Sequence, residues 1–114
     1  MALNIDVGNE RGVTVVKLSG VIDGNTAPEA QARILPLMES QPSVVLDMGE
    51  VEYLSSAGLR TLLLLYRQAA TRNGKVAIAG LRESIKDTMA VTGFLNFFLV
   101  RDDVAAAVAE ISMG

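Results

Sequence analysis

The sequence predicts a single α/β domain with a mixed, mostly parallel sheet of about five strands and about four helices. The chain has 114 residues, which suits one compact domain, and 50% of them are hydrophobic, which is enough for a core. Short apolar segments alternate with longer segments of helical character in the order ββαβαβαβα. Strands separated by crossover helices pair in parallel, whereas strands joined by a tight turn pair antiparallel. No internal repeat or linker divides the sequence, so we expect one domain over residues 1–114.

Alternation of side-chain type predicts the first two strands. The stretch "LNIDVGNERGVTVVKLSGVID" alternates apolar and polar residues with period two on either side of "GNERG". Gly8, Asn9 and Gly12 in that interruption are residue types that suit a turn. We therefore expect an antiparallel hairpin at the start of the chain.

A helix and a buried strand follow the hairpin. In "GNTAPEAQARILPLMES", Thr26 and Glu29 have the spacing of a capping box, and Pro28 stands in the permissive first turn. We expect Pro36 to bend or shorten this helix near its end. The short apolar run "SVVLDMG" finishes with turn residues, which predicts a buried strand that ends near Asp47.

The second half of the chain continues the alternation of helices and strands. A leucine-rich helix is predicted for "SAGLRTLLLLYRQAATRNG", with a glycine stop at Asn73-Gly74. The strand "KVAIAG" and the helix "RESIKDTMAVTG", which ends at Gly93, come next. A short strand "FFLV" and the terminal helix "RDDVAAAVAEI", with Asp102 and Asp103 at its positive end, complete the order.

Two groups of side chains have both a structural and a binding interpretation. Phe94, Phe97 and Phe98 are all the phenylalanines of the chain, and we expect them in the core, with an exposed patch for a partner as the alternative. Arg60 and Arg67 lie about two turns apart on the leucine-rich helix. They are therefore either solvated or part of a strip that faces a partner.

Composition excludes several function classes. The net charge is −3, so we expect no nucleic-acid partner. Because the chain has no cysteine and no histidine, it has no thiolate or imidazole metal ligand and no Ser-His-Asp triad, and we expect neither a metal nor a cofactor. The start "MALNIDVGNERG" does not resemble a signal peptide, and the longest uncharged run is too short to cross a bilayer. We expect a cytoplasmic protein without direct membrane insertion.

Two serines stand where the leucine-rich helix is predicted to begin, and they have two interpretations. A serine at a helix start commonly caps it, because its hydroxyl accepts a hydrogen bond from an otherwise unpaired backbone N–H. The same position also tolerates a phosphate, since a helix N-terminus carries partial positive charge. Phosphorylation of Ser55 or Ser56 would add nearly two negative charges without unfolding the helix. Ala57 and Gly58 keep the turn small, which would let a partner approach closely.

The stretch "VVLDMGEVEYLSSAGLRTLLLLYRQA" resembles the central segment of STAS domains, specifically the stand-alone anti-sigma factor antagonists of bacterial partner-switching systems. "VKLSGVIDGNTAPE" is similar to the turn into the first helix of that family, and "AVTGFLNFF" is similar to its late segment. The resemblance extends over essentially the whole chain. It implies a STAS fold and a regulatory protein that acts by binding and has no enzymatic activity of its own.

The resemblance also implies a phosphorylation site and a partner surface. The family's phosphorylated residue in its "D-S-x-G-L" turn falls on Ser56, and Ser55 stands where many members have aspartate, which leaves Ser55 as a second candidate. The family's loop aspartate corresponds to Asp23, which ordinary turn chemistry also explains. The implied partner surface consists of Asp23, Asn25, Ser55, Ser56, Ala57, Gly58 and Arg60.

The implied partners are an anti-sigma factor that is also a serine kinase, and a PP2C-type serine phosphatase that reverses the modification. An alternative keeps the fold and makes the chain a non-switching STAS accessory subunit of a lipid-transport or stress-signalling complex, in which Ser56 only caps its helix. A third hypothesis is a small enzyme or nucleotide-binding protein that uses Asp47 and the serine turn. The sequence has neither a phosphate-binding loop nor a suitably spaced second acid, so we interpret Asp47 as a turn or cap residue.

Overall fold

The computed structural model of the chain describes residues 2–113 and contains the predicted order of elements. The strands are β1 (Leu3–Glu10), β2 (Val13–Ile22), β3 (Val44–Leu54), β4 (Val76–Ala79) and β5 (Leu99–Arg101). The helices are α1 (Ala27–Ser40), α2 (Ser56–Ala70), α3 (Glu83–Val91) and α4 (Val104–Met113), with a short 3₁₀ helix at Phe94–Phe97.

The five strands form one sheet in which spatial order follows sequence order, β1-β2-β3-β4-β5. β1 is antiparallel to β2, and the remaining neighbours are parallel. The predicted mixed, mostly parallel sheet is therefore confirmed. Because parallel strands end at the same edge of a sheet, the loops that follow β2 and β3 lie side by side, and these loops hold the candidate site.

Each face of the sheet is covered by helices. The larger core joins one face to α1, α2 and α3 through buried side chains, among them Leu18, Leu46, Ile78, Ile34, Leu62 and Met89. A smaller core joins the other face to α4 and contains Val13, Val45, Ala77, Ala79, Ala107 and Val108. Neighbouring residues such as Val45 and Leu46 enter different cores because successive side chains of a strand point to opposite faces.

β3 is longer than the sequence predicts. It continues past Asp47 to Leu54, so the prediction that this strand ends near Asp47 is wrong. The cause is irregular pairing with β2: Lys17 lies opposite Asp47 and Ser19 opposite Glu50, so one extra residue of β3 is accommodated there. A β-bulge of this kind interrupts the period-two pattern, and in sequence the interruption resembles a turn.

The hairpin turn is tighter than predicted. Only Arg11 and Gly12 lie between β1 and β2, with φ of 54° and 83°, whereas Gly8 and Asn9 belong to β1. A two-residue hairpin loop of this type requires positive φ at both positions. Asn9 still contributes to the turn, because its Oδ1 accepts a hydrogen bond from the N–H of Gly12 at 3.0 Å.

At the ends of α1 and α2, the residues that were expected to stop each helix act differently from the prediction. α1 continues past Pro36 to Ser40, so the proline does not shorten it. After α2, Asn73 takes the left-handed conformation with φ of 59°, which the sequence assigns to the glycine. Gly74 is needed for space, because a Cβ at this position would lie 2.7 Å from the Cβ of Pro42.

The end of α3 and the start of α4 agree with the prediction. α3 is followed by Gly93 with φ of 82°, and the carboxylate of Asp103 accepts a hydrogen bond from the N–H of Ala106 at 2.8 Å in the first turn of α4. Of the phenylalanines, which were expected in the core or in an exposed patch, one is buried and another is exposed. Phe98 is 7% exposed and belongs to the core, whereas Phe97 is 46% exposed and packs against Tyr66 with the two rings tilted by 50°.

Candidate functional site

The site is built where β2 and β3 end beside each other. Ile22 pairs with Leu54 in parallel register, so the loop at residues 23–26 and the turn at residues 55–58 leave the sheet next to each other. The N–H of Ser55 donates a hydrogen bond to the carbonyl of Ile22 at 3.0 Å, which joins the two segments directly. The fold therefore holds the Asp23 loop and the serine turn in a fixed relation.

The Asp23 loop is stabilised by its own side chains. The Oδ1 atom of Asp23 accepts hydrogen bonds from the N–H groups of Asn25 and Thr26 at 2.9 and 3.2 Å. The hydroxyl of Thr26 donates to the carbonyl of Val21 at 2.8 Å and accepts from the N–H of Asp23 at 3.0 Å. The Asp23 carboxylate thus stabilises the turn, and the residue remains partly exposed to solvent.

The predicted capping box at Thr26 and Glu29 is wrong. Thr26 precedes α1, but its side chain makes no capping hydrogen bond to the helix. Thr26 is buried, with 7% of its surface exposed. Its hydroxyl already makes hydrogen bonds to the backbone of the preceding loop, so it is not available to the helix. Pro28 stands in the first turn as predicted, where a missing N–H is tolerated.

The two serines have different structural roles. Ser55 precedes α2 in extended conformation, and its Oγ accepts a hydrogen bond from the N–H of Gly58 at 3.2 Å, so Ser55 is the helix cap. Ser56 is the first helical residue and is exposed. The Ser56 hydroxyl makes no hydrogen bond within residues 2–113. One serine therefore stabilises the helix start, and the next presents a free hydroxyl to solvent.

Gly58 and Leu59 fix the position of this turn. A Cβ on Gly58 would lie 2.6 Å from the carbonyl oxygen of Ile22 and 2.6 Å from Cδ1 of Leu54, so α2 reaches the end of β2 only because this residue is glycine. Leu59, 7% exposed, is buried in the larger core. The close approach and the buried leucine together orient Ser56 away from the protein.

A groove with a volume of about 480 Å³ lies beside the serine turn, between α1 and α2. Its lining residues are Gly24, Ala27, Pro28, Gln31, Ala57, Arg60, Thr61, Leu63, Leu64 and Arg67. The two helices are joined across it by a hydrogen bond of 2.9 Å from Nε2 of Gln31 to Oγ1 of Thr61. The groove thus continues the exposed surface of the turn along the length of α2.

Comparison with known proteins identifies the family. The profile of the STAS domain matches residues 4–107. BtrV, a candidate anti-sigma factor antagonist of Bordetella bronchiseptica, is 31% identical over 99 residues, which cover 86% of this chain and 85% of BtrV. The chain belongs to the STAS domain family.

Two further relatives cover almost the whole STAS domain. The anti-sigma F factor antagonist of Paenibacillus polymyxa is 22% identical over 115 residues, which cover 99% of this chain and 98% of that protein. The crystal structure of an anti-sigma factor antagonist from Mycobacterium paratuberculosis has a TM-score of 0.87 and 26% identity, covering 97% of this chain and 95% of that one. The resemblance found in the sequence is therefore confirmed.

This STAS domain brings the residues of the predicted partner surface to one edge of the sheet. Asn25, Ser56 and Arg60 are exposed there, and Ala57 and Arg60 line the groove. Gly58 is buried and contributes through the close approach of the helix rather than through its own surface. Asp47 is not part of this edge, because it lies seven residues before the end of β3, roughly 20 Å away along the strand.

Sequence reasoning missed the α1 side of the groove. Pro28 and Gln31 are three residues apart and therefore share one face of α1. That spacing is visible in the sequence, but nothing in it indicates that this face meets Thr61 of α2. The contact is made by residues about 30 positions apart, so only the fold reveals it.

Within residues 2–113 there is no helix long and apolar enough to cross a membrane. The same residues contain no group of three or more acidic side chains that could hold a metal ion.

Proposed function

We propose that this STAS domain is an anti-sigma factor antagonist whose binding is switched at Ser56. In the unphosphorylated state it binds an anti-sigma factor that is also a serine kinase, and phosphorylation of Ser56 releases that partner. The observation that carries the proposal is the division of roles in the serine turn. Ser55 caps α2, and the Ser56 hydroxyl is exposed with no hydrogen bond to any described residue.

The relatives support the coarse function. Two proteins that match nearly the whole chain, one by sequence and one by structure, carry the name anti-sigma factor antagonist, and BtrV is a candidate for the same role. These proteins, as named, antagonise an anti-sigma factor, and we propose that this chain does so by binding one. Binding of this kind requires an exposed surface on a rigid domain, which the edge formed by the Asp23 loop and the serine turn supplies.

The geometry favours Ser56 over Ser55 as the phosphorylated residue. The oxygen of Ser55 accepts the capping hydrogen bond from Gly58, and the residue is half-buried. A phosphate on that oxygen would disturb the start of α2. Ser56 has no such role, so its oxygen can receive a phosphoryl group while the cap stays in place.

The chemistry of the switch requires no group of this chain other than the hydroxyl. The kinase would transfer the γ-phosphoryl group of its ATP to Oγ of Ser56, with the hydroxyl proton going to a base of the kinase and ADP leaving. A PP2C-type serine phosphatase would hydrolyse the phosphoester with water and release inorganic phosphate. The STAS domain is in this scheme a substrate of both enzymes and catalyses neither step.

Phosphate at Ser56 would break the complex without breaking the fold. It adds about 1.5 to 2 negative charges at neutral pH, and the partial positive charge of the α2 N-terminus tolerates them in the free protein. In the complex the same charge would lose much of its water, which is unfavourable. The proposed contact surface comprises Asp23, Asn25, Ser55, Ser56, Ala57, Gly58 and Arg60, and the switch would operate in the cytoplasm.

ATP-driven release tests the proposal. The tagged chain is isolated from its native cells together with its bound anti-sigma factor, and ATP with Mg²⁺ is then added to the washed complex. We expect ATP to release the wild-type chain and the Ser55→Ala variant, and to leave the Ser56→Ala variant bound. Release of the Ser56→Ala variant at the wild-type rate would contradict the proposal.

A further inference from the structure

We infer that the groove between α1 and α2 is the docking surface for an amphipathic, acidic helix of the partner protein. The inference rests on the proposed function, because the partner is the anti-sigma factor of that scheme. It adds the chemistry of the segment that the partner contributes.

The lining of the groove suits the apolar face of a helix. Its volume is about 480 Å³, and most of its lining residues are apolar. Leu64 is half-buried and is not packed into either core, so its side chain is available to a partner. Gln31 and Thr61 bond to each other, and Thr61 is 2% exposed, so these polar groups do not require water in the groove. Grooves of this kind commonly accept the apolar face of a partner helix.

The charges that line the groove are both positive, although the chain as a whole carries −3. They are Arg60 and Arg67 of α2, and both are exposed. Neither guanidinium has a hydrogen bond or ion pair with any residue in the described range 2–113. Four of the five other arginines are engaged, since Arg33, Arg72, Arg82 and Arg101 donate to Ile5, Glu39, Gly49 and Glu110, and the fifth, Arg11, lies in the exposed hairpin turn. Two unpaired cations beside an apolar groove complement a segment with apolar and acidic residues.

The spacing of the two arginines indicates how the partner helix would lie. Arg60 and Arg67 are seven residues apart, which places them on the same side of α2 and roughly 10 Å apart along its axis. A helix packed along the groove would face both of them with acidic residues that are also seven positions apart. Apolar side chains between those acids would contact Leu64 and the methyl group of Ala57.

This docking mode couples the groove to the phosphorylation site. Ala57 lines the groove and directly follows Ser56, so a phosphate on Ser56 would stand beside the acidic residues of the docked helix and repel them. Ser56 and Arg60 are also four residues apart on α2, the spacing at which side chains of a helix meet. The phosphate would therefore compete for one of the two cations that hold the partner.

A peptide titration tests the groove without the partner. The probe is a synthetic helical peptide of about 16 residues with leucines on one face and two glutamates seven positions apart, and its control has lysines in place of those glutamates. Backbone amide shifts of the full chain are followed by NMR. We expect the glutamate peptide to shift residues 57–67 of α2 and residues 24–31 of the facing wall, with an affinity that falls as salt is raised. Equal binding of the lysine peptide, or shifts that avoid both walls of the groove, would overturn the inference.

Charge-reversal variants extend the test to the complex with the anti-sigma factor. Arg60→Glu and Arg67→Glu are each expected to weaken binding about fivefold or more, whereas Arg11→Glu, the same charge change in the distant hairpin turn, leaves it unchanged. Circular dichroism checks that each variant is folded. If Ser56→Glu releases the partner and both groove variants bind normally, the groove inference is wrong, and the proposed switch at Ser56 stands with Arg60 removed from its contact surface. If Ser56→Glu binds like the wild type, the proposed function fails.

Discussion

Replacing Gly58 with alanine tests how the serine turn is positioned. The added Cβ would lie 2.6 Å from the carbonyl oxygen of Ile22, 2.6 Å from Cδ1 of Leu54 and 3.1 Å from Cγ2 of Ile22. Ordinary contacts of a Cβ begin near 3.4 Å, so the start of α2 must move away from β2 by roughly 0.8 Å. The hydrogen bond from Ser55 N–H to the same carbonyl, now 3.0 Å long, would lengthen with that movement.

Two opposing effects set the expected change in stability. Alanine is a better helix former than glycine by about 1 kcal/mol, which favours the variant. Overpacking against backbone and a core leucine costs about 1–3 kcal/mol, and the strained capping region adds to the cost. We therefore expect Gly58→Ala to lower the free energy of unfolding by about 1–2 kcal/mol.

Urea denaturation followed by circular dichroism measures this change. Gly24→Ala is the matched control, because a Cβ there meets nothing within 4 Å, and we expect an effect within about 0.5 kcal/mol. The denaturant slope should be the same for both variants, since the native fold is retained. A Gly58→Ala variant as stable as the wild type, or more stable, would refute the steric account of the turn.

Three further predictions follow from the hydrogen bonds and the core. Ser55→Ala removes the cap of α2 and should cost about 1 kcal/mol in unfolding free energy, whereas Ser56→Ala should change it by less than about 0.5 kcal/mol. Leu62→Ala, at a side chain 1% exposed in the larger core, should cost about 2–5 kcal/mol in the same assay. The ion pair between Arg101 and Glu110 is 37% and 41% exposed, so a double-mutant cycle should give a coupling energy below about 1 kcal/mol.

Each of these predictions has a result that would contradict it. Equal losses for the two serine variants would mean that Ser55 is not the specific cap. A loss below about 1 kcal/mol for the leucine variant would mean that the site collapses around the smaller side chain or that α2 is loosely packed. A coupling energy well above about 1 kcal/mol would show that water screens the ion pair less than the exposure of its two side chains indicates.

The sequence is a good guide wherever structure is decided locally. Alternating residues predict β1 and β2, and the leucine-rich segment with polar ends predicts α2. Composition alone excludes histidine and cysteine chemistry. Local patterns fail where pairing between distant segments decides: the bulged pairing of β3 with β2 extends the strand beyond Asp47, and no periodicity in one segment can reveal it.

In the candidate site, too, local features could be predicted from the sequence, whereas features that depend on contacts between distant segments could not. The motif around Ser55 and Ser56 indicates a helix start, but which serine is the cap depends on where the helix begins, a difference of one residue. Thr26 has the spacing of a capping residue, yet its hydroxyl is taken by the carbonyl of Val21. The groove depends on Gln31 meeting Thr61, a contact between two helices that β3 separates in the sequence.

Site-resolved mass spectrometry of the chain isolated from its native cells tests the central claim most directly. The wild type, Ser56→Ala and Ser55→Ala are compared under several growth conditions. We predict a mass increase of about 80 Da on Ser56 that is lost in Ser56→Ala and retained in Ser55→Ala. A phosphate mapped to Ser55, or no phosphate on the wild type under any condition, would contradict the account.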